Sequence, residues 1–563
     1  MGNRVPEQVP RILVVGGTGV FGWRLVIGLL RSTAFKVIIA GRDESRLATA
    51  LRHCDAISGT TGRTSVLTMD ARQVTADALR ATGAFAVVDA AGPFQTNDRR
   101  LAETVIAAGI HYVDLADARD FVAGFTALDN AAKQAGVVAL TGASSTPTLS
   151  NAVLDHLATG WISVDQVEIA IAPGNRAPRG LSVVRSILSY AGRPVRVFID
   201  GDWSTAPGWG MTVLRHMPGL GRRWLSLAET PDLDIVPTRF AVRSSAIFRA
   251  GLEMPLLHLG LLAASLPVRW RVVRSLTPLA RLFRWLASLL ERFGTDRGGM
   301  TVEATGTDQH GNPVTGIWSL VAEAGDGPFV PTLATLAVLR ALADGRIARP
   351  GASACVGVLS LQEIEAEFAP HRIHSTINIQ HSSRSVYECV LGDLFGQLPE
   401  PLRAMHCLNG KLIARGMAQV DGADRLIGRF IAAIFRFPSA GKGVPVTVEI
   451  TPSPGQEKWV REFGGRRFGS VLSATVIPNC LMERFGLFRF ILDLPVGPQG
   501  VLGMPVRAWR LGLLPLPQWL APVSIVTEDV DEHGRFRFDV EMRLPLGLGR
   551  LVRYRGWLVP DPR

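Results

Sequence analysis

The sequence predicts three successive domains: an α/β domain with a parallel sheet over residues 1–148, an α+β domain over 149–384 and a mainly antiparallel β domain over 385–563. Two observations predict this division. In the first stretch, short apolar runs alternate with helix-like segments, as in strands joined by crossover helices. In the last stretch apolar and polar residues alternate strictly, as at 536–544, which is typical of half-exposed antiparallel strands.

The first two domains are predicted from their apolar runs. In the first, the runs that predict strands are 11–15, 35–40, 64–68, 85–89 and 137–140, and a further strand ends at Tyr112 and Asp114. In the second, strands are predicted at 164–172, 183–189, 300–306 and 314–323, and a helix at 332–344. Because strands and helices alternate in the first domain, we expect a parallel sheet covered on both faces.

Composition narrows the class of protein. The 563 residues are 47% hydrophobic and 19% charged, which excludes global disorder. The net charge is +11, and only five of the 60 basic side chains are lysines. The five cysteines form no CxxC pair, so neither a disulfide framework nor a metal site is expected. No signal peptide or spanning apolar run is visible, which favours a cytoplasmic protein.

A glycine-rich turn, GGTGVFG, follows the first strand and opens the first helix. Glycines there allow a tight turn and close approach to a pyrophosphate, and the helix start supplies free N–H groups. This context predicts a dinucleotide site on a Rossmann-type domain, although the glycines could serve packing alone. The cofactor-binding candidates in this turn are Gly16, Gly17, Thr18, Gly19, Val20, Phe21 and Gly22.

The residues after the next strands predict which dinucleotide binds. An NAD site usually has an acid at the end of the second strand, whereas Arg42 stands there and suits a 2′-phosphate. NADP(H) is therefore favoured over NAD(H), a preference that the adjacent Asp43 and Glu44 weaken. Loops after the third and fourth strands are predicted to border the adenine, ribose and nicotinamide. The further cofactor-binding candidates are Gly41, Arg42, Asp70, Ala91, Gly92 and Pro93.

Candidates for catalysis lie at the ends of later strands. Tyr112 and Asp114 alternate toward one side at the edge that faces the ligand crevice, so they are the candidates for proton transfer. The alternative, given equal weight, is that Tyr112 packs and Asp114 caps the next helix. Ser144 and Ser145 are candidates for binding substrate or the nicotinamide amide. The Tyr-x-x-x-Lys pair of the usual short-chain dehydrogenases is absent.

Residues 10–370 resemble a known family. The segments GGTGVFG, AGR, VVDAAGPFQTND and AGIHYVDLADARDF are similar to the NADP-binding domain of saccharopine-dehydrogenase-like oxidoreductases. The resemblance implies hydride transfer between a nicotinamide cofactor and a small-molecule substrate. Ala118 stands where the family often has a glutamate, so lysine-pathway activity is not expected. Residues 385–563 resemble a bacterial C-terminal domain of unknown function through EKWVREFGG, MERFG and YRGW.

Residues 254–293 combine apolar side chains with basic ones. The stretch holds six arginines and one acid, Glu291. After Pro278 the apolar residues share one face of a helix and the arginines lie opposite. Such a helix suits a peripheral membrane contact at the inner face of the membrane. Packing on a neighbouring domain or a homodimer contact is the alternative.

Three functions are therefore considered. The first is an NADP(H)-dependent oxidoreductase that acts on a carbonyl, imine or alkene carbon of an unknown, apolar substrate. The second is an NADP(H)-binding sensor without turnover, and the third is a membrane-surface lipid-binding protein. Nucleic acid is not an expected partner, because no basic groove is paired with stacking aromatics in a known motif.

Overall fold

A computed structural model describes residues 9–57, 59–60, 62–96, 98–178, 180–309, 312–381, 385–407, 411–453, 455–475, 477–512 and 514–561. Two compact units are present. The first unit runs to Ala304 and includes Gly316–Ile379, and the second consists of Thr305–Thr315 and the chain from Gln380 onward. Among the helices within these ranges, none is long and apolar enough to cross a membrane.

The first unit begins with the predicted alternation of strands and helices. The strands are β1 (Arg11–Val15), β2 (Lys36–Gly41), β3 (Thr64–Thr68), β4 (Ala86–Asp89), β5 (His111–Asp114) and β6 (Val138–Thr141). The helices are α1 (Val20–Ser32), α2 (Glu44–Asp55), α3 (Ala76–Ala81), α4 (Arg100–Ala107), α5 (Arg119–Ala123), α6 (Asp129–Ala135) and α7 (Ser150–Leu157). This alternation confirms the predicted α/β class.

A second sheet with its own helices follows. Its strands are β7 (Trp161–Ala172), β8 (Pro194–Ile199), β9 (Asp202–Pro207), β10 (Val213–Met217), β11 (Gly221–Leu227), β12 (Ser245–Gly251), β13 (Gly298–Asp308) and β14 (Pro313–Ala322). The helices are α8 (Leu181–Tyr190), α9 (Asp232–Arg239), α10 (Pro255–Arg269), α11 (Ala280–Leu289) and α12 (Val330–Ala343). The chain then adds β15 (Gly351–Ala354), α13 (Leu361–Glu365) and β16 (Ile373–His381).

The first sheet is parallel throughout and has the order β15-β6-β5-β4-β1-β2-β3. Both of its faces are buried, because Ile12 and Val14 belong to one apolar cluster and Leu13 and Val15 to another. That burial explains the continuous apolar runs of its strands. Its edge strand β15 comes from far along the chain, after β14 and before β16, which is the last strand of the second sheet.

One predicted strand is wrong. Residues 183–189 form most of helix α8. Val183, Val184, Ile187 and Leu188 recur at helical spacing and line one cavity. Because β-branched residues are also common in strands, this short run fits a strand as well as a helix when its packing partners are not considered.

The second unit is built on an antiparallel sheet, which confirms the predicted class of the C-terminal region. Its strands are β17 (Leu412–Asp421), β18 (Gly441–Ser453), β19 (Gln456–Phe463), β20 (Arg466–Ala474), β21 (Cys480–Phe485), β22 (Phe488–Asp493), β23 (Leu502–Gly503), β24 (Val506–Leu511), β25 (Leu514–Leu516), β26 (Val523–Val530), β27 (Phe536–Arg543) and β28 (Arg550–Pro560). The helices are α14 (Val386–Leu391), α15 (Glu400–His406) and α16 (Leu426–Ile434).

A buried ion pair links the two halves of the first unit. Arg119 on α5 is 7% exposed, and its Nε donates to Asp234 Oδ2 on α9 at 2.6 Å. Arg196, which is 57% exposed, shares the same carboxylate. Since Arg119 is buried and Arg196 is not, the two arginines depend on Asp234 to very different degrees.

Replacing Asp234 with alanine leaves Arg119 buried without its carboxylate. We expect Asp234→Ala to lower the free energy of unfolding of the first unit by about 3 kcal/mol. The control Arg196→Ala removes a largely exposed partner of the same carboxylate and should cost less than about 1 kcal/mol. Urea unfolding followed by far-ultraviolet circular dichroism measures both, and equal losses would contradict the assignment.

Candidate cofactor and substrate site

The glycine-rich turn between β1 and α1 has no room for side chains at three positions. A Cβ on Gly22 would lie 2.3 Å from the Gly16 carbonyl oxygen, and one on Gly17 would lie 2.7 Å from Ile39 Cγ2. Gly16 has φ +74°, and a Cβ there would lie 3.0 Å from the backbone of Ala91. Glycine is therefore required for packing, and the backbone is left open to a close ligand.

Backbone hydrogen bonds fix this turn against the second strand. The Gly19 N–H donates to the Gly16 carbonyl at 2.8 Å, and the Gly16 N–H donates to the Ala40 carbonyl at 2.9 Å. Helix α1 then starts at Val20 with no acidic residue in its first turn. Its first N–H groups have no partner within the helix, so they attract an anion. The turn fits a dinucleotide pyrophosphate.

Arg42 is exposed immediately after β2, and it makes no ion pair with any described residue. The neighbouring acid is engaged elsewhere, because Asp43 caps α2 by accepting from the N–H groups of Ser45 at 3.0 Å and Arg46 at 3.1 Å. Hydrogen bonds from Ser45 and Arg46 also lower the pKa of Asp43. The guanidinium of Arg42 is thus available to a phosphate at this edge.

The other cofactor candidates lie at the same edge of the sheet. The Met69 N–H donates to the Gly41 carbonyl at 2.9 Å, which holds the loop carrying Asp70 beside the end of β2. The Asp70 carboxylate accepts from the Arg72 N–H at 3.0 Å. The loop after β4 carries a cis Gly92–Pro93 peptide. The carboxyl ends of β1 to β4 therefore bring the predicted residues together, and their cofactor contacts stay a prediction.

Asp89 was missed by the sequence analysis. It ends β4, is 6% exposed and accepts from the Ala91 N–H at 2.9 Å. Burial raises its pKa to about 6, against the effect of the Ala91 N–H. The signal that points to Asp89 is a carboxylate at the end of a wholly apolar strand, next to a predicted cofactor loop.

Tyr112 and Asp114 are both completely buried. Asp114 Oδ1 accepts from the N–H groups of Ala116 at 2.9 Å and Gly142 at 2.7 Å and from the Thr141 hydroxyl at 2.9 Å. Within the described part of the chain, Asp114 Oδ2 and the Tyr112 hydroxyl are buried with no hydrogen-bond partner. The carboxylate thus holds the loops after β5 and β6 together, and proton transfer by this pair stays a prediction.

The pKa values of this pair are shifted by the same enclosure. Burial raises the pKa of Asp114 to about 7, opposed by the N–H groups of Gly142 and Ala116 and increased by the nearby Asp89. Burial and the charge of Asp114 hold the pKa of Tyr112 well above its ordinary value. The Tyr112 phenol therefore stays protonated at neutral pH, whereas Asp114 is mainly protonated only below neutral pH.

Next to this edge lies an apolar cavity of about 280 Å³. It starts at Phe21 in the first turn of α1 and at Ser145, which opens a π-helical turn after β6. Among the described residues that line it, Ser145 and Asp296 are the polar side chains. The apolar walls include Ile171, Val183, Val184, Ile187, Leu188, Leu252, Leu257, Leu261, Phe283, Ala287, Met300, Leu320, Ala322, Val330 and Pro331.

Of the two predicted substrate residues, one lines this cavity and the other does not. Ser145 lies in its wall, whereas Ser144 is 6% exposed and does not line it. Tyr112 and Asp114 do not line it either. The structure therefore brings Ser145 together with the glycine-rich turn, and it places the predicted proton-transfer pair inside the domain.

Comparison with family models agrees with a dinucleotide site at the carboxyl edge of the first sheet. Residues 12–140 match the family described as saccharopine dehydrogenase NADP binding domain. The N-terminal domain belongs to this family. Residues 398–558 match a domain of unknown function, DUF4166, so the chain joins the two. No curated protein matches the chain.

The solved structures that match this chain have low sequence identity and TM-scores below 0.5. Apo saccharopine dehydrogenase (L-Glu forming) from Saccharomyces cerevisiae is 13% identical, with a TM-score of 0.47, over 66% of this chain and 100% of that one. A probable dehydrogenase from Thermotoga maritima is 10% identical, with a TM-score of 0.33, over 63% of this chain and 93% of that one. An oxidoreductase from Sinorhizobium meliloti is 11% identical, with a TM-score of 0.29, over 65% of this chain and 87% of that one.

Removing the charge of Asp114 should change how stability depends on pH. Its folded pKa is raised above the unfolded value, so the folded state binds the proton more tightly, and stability falls as pH rises from about 4 to about 7. In Asp114→Asn this loss disappears. Between pH 5 and pH 8 the wild type should lose on the order of 2 kcal/mol more free energy of unfolding than the variant.

Urea titrations at the two pH values measure this difference. Asp77→Asn is the control, since the Asp77 side chain is 90% exposed on α3, and it should keep the wild-type pH dependence. An Asp114→Asn protein with the full wild-type loss would show that Asp114 is ionised in the fold at no cost.

Proposed function

We propose that this protein is an NADP(H)-dependent oxidoreductase that moves hydride to or from a carbonyl, imine or alkene carbon of an apolar small molecule. One observation carries the proposal: the apolar cavity begins at Phe21 and Ser145, at the carboxyl edge of the parallel sheet. Ligands of such sheets bind at that edge. A substrate in the cavity therefore lies next to the place where the dinucleotide is held.

The residues at the edge fit the cofactor. Gly16, Gly17 and Gly22 leave the backbone bare, and the start of α1 faces the pyrophosphate with no acid nearby. Arg42 supplies a planar cation for the 2′-phosphate. The neighbouring Asp43 carboxylate does not pair with it, because it accepts hydrogen bonds from the N–H groups at the start of α2. When bound, the nicotinamide supplies or accepts hydride.

The cavity selects its substrate by shape and apolarity. Its walls are mostly apolar, so a substrate gains free energy by burying hydrocarbon surface against them. The Ser145 hydroxyl is placed to accept or donate a hydrogen bond to the polar end of that substrate. Such a pocket binds a mainly apolar molecule whose polar groups meet Ser145 or Asp296.

A cofactor-binding sensor without turnover is the second candidate. It is favoured by one observation: the predicted proton-transfer residues Tyr112 and Asp114 are absent from the cavity wall, where Asp296 supplies the one carboxylate among the described lining residues. A sensor needs the dinucleotide edge but no proton-transfer group beside the substrate. Oxidation of NADPH with apolar aldehydes, ketones and enones separates the two, because a sensor shows binding and no turnover.

Arg42 is the residue that should discriminate between the two dinucleotides. Loss of a charge-assisted contact with a phosphate corresponds to roughly a 10–100-fold change in affinity. We expect Arg42→Ala to weaken NADPH binding by that factor and to leave NADH binding unchanged. Fluorescence titration measures both constants. Equal affinities for NADPH and NADH in the wild type would contradict the assignment.

Filling the cavity should block the substrate and spare the cofactor. Val184→Trp places an indole in the cavity from α8, whereas Arg185→Trp places one on the exposed side of the same helix and is the matched control. We expect Val184→Trp to lower kcat/KM for an apolar substrate about tenfold or more, since binding of a hydrophobic group is lost. The NADPH dissociation constant should stay the same. An unchanged kcat/KM would place the substrate elsewhere.

A further inference from the structure

Residues 254–293, here the docking segment, present many apolar side chains to solvent. The segment contains α10, a 3₁₀ turn at Thr277–Leu279 and α11. Eleven of its large apolar side chains are exposed, and among them Leu256, Trp270, Val272, Trp285 and Phe293 are each more than half exposed. Clustered exposed apolar residues of this kind mark an interaction surface.

The same surface is basic. Arg269, Arg271, Arg274, Arg281, Arg284 and Arg292 are all exposed, and within the described residues none of these guanidinium groups pairs with a carboxylate. By contrast, the buried guanidinium of Arg249 in the same unit pairs with Glu168 at 3.0 Å. Unpaired arginines among exposed tryptophan, leucine and phenylalanine are typical of helices that lie in the interface of an acidic membrane.

We propose that the docking segment binds the surface of an acidic phospholipid bilayer. Charge complementarity selects this occupant, because a second copy of the chain would bring the same six arginines against the first six. An acidic headgroup layer offers phosphates to the arginines and hydrocarbon to the side chains between them. The segment lies along the interface, with its apolar side chains below the headgroups.

The inner side of the docking segment forms part of the cavity wall. Leu257 and Leu261 of α10 and Phe283 and Ala287 of α11 line the cavity, whereas the neighbouring Leu256 and Trp285 face solvent. The same two helices therefore separate the apolar cavity from the proposed membrane surface. We infer that the substrate is an apolar lipid that enters from the bilayer between α10 and α11. This inference rests on the proposed function.

An independent surface of the same kind lies in the second unit. Helix α16 exposes Leu426, Phe430 and Ile434 to 81%, 68% and 61%. Arg425, Arg429 and Arg436 flank these residues, and no described carboxylate pairs with them. We infer that α16 is a second contact with acidic lipid.

Flotation of the full chain with lipid vesicles tests both surfaces. The wild type should float with vesicles of 70% phosphatidylcholine and 30% phosphatidylglycerol, and at least tenfold less with pure phosphatidylcholine. Replacing Trp270, Val272, Trp285 and Phe293 with serine should reduce flotation, and so should Leu426→Ser with Phe430→Ser. The two sets combined should abolish it. Because all these side chains are exposed, the variants should keep the wild-type circular dichroism spectrum.

A control variant makes the test specific. Ile162→Ser with Trp203→Ser removes exposed apolar side chains of the first unit outside the docking segment, and it should leave flotation unchanged. Equal flotation of wild type and combined variant would overturn the proposal. A concentration-dependent dimer that the docking-segment variant abolishes, with no flotation of the wild type, would assign the surface to a second copy of the chain.

Activity assays separate failure of this inference from failure of the proposed function. The docking-segment variant should oxidise NADPH normally with a short, water-dispersed apolar aldehyde and at least tenfold more slowly with a long-chain aldehyde held in acidic vesicles. Flotation without turnover would leave the membrane contact standing and refute the oxidoreductase. Equal rates for variant and wild type on the vesicle-held aldehyde would refute entry from the bilayer.

Discussion

At the carboxyl edge of the first sheet, backbone approaches backbone too closely for side chains. The Gly16 backbone lies against Ala91, and Gly22 lies against Gly16. This packing fixes α1 to the ends of β1, β2 and β4, and so it fixes the free N–H groups, Arg42 and the mouth of the cavity relative to one another. A methyl group at Gly22 would move α1 and, with it, Phe21 in the cavity wall.

Local patterns in the sequence predicted this edge well. Strands buried on both faces and a glycine-rich turn are encoded by consecutive residues, so β1 to β6 and the turn could be located. The cavity could not, because its walls come from positions between Phe21 and Pro331 that only the tertiary fold brings together. For the same reason the sequence does not predict β15, and it predicts a strand where the structure has helix α8, because the packing of α8 against the cavity is a tertiary feature.

The burial of Asp114 has two consequences for the site. The Asp114 side chain accepts hydrogen bonds from the loops after β5 and β6 and so stabilises the segment that leads to Ser145. The position of Asp114 therefore affects the cavity wall even without contact to a substrate. Asp89 is buried at the same edge, and burial raises the pKa of both acids. Under the proposed function, the apolar cavity and the docking segment extend this site toward hydrocarbon ligands.

The proposed function requires that the dinucleotide and the apolar cavity form one site, which a crystal structure of the full chain with NADP⁺ would test. We expect the pyrophosphate on the turn of Gly16 to Gly22, the 2′-phosphate on Arg42 and the nicotinamide ring in contact with Phe21 or Ser145 at the cavity mouth. A nicotinamide ring directed away from the cavity, or a cofactor bound outside this edge, would contradict it.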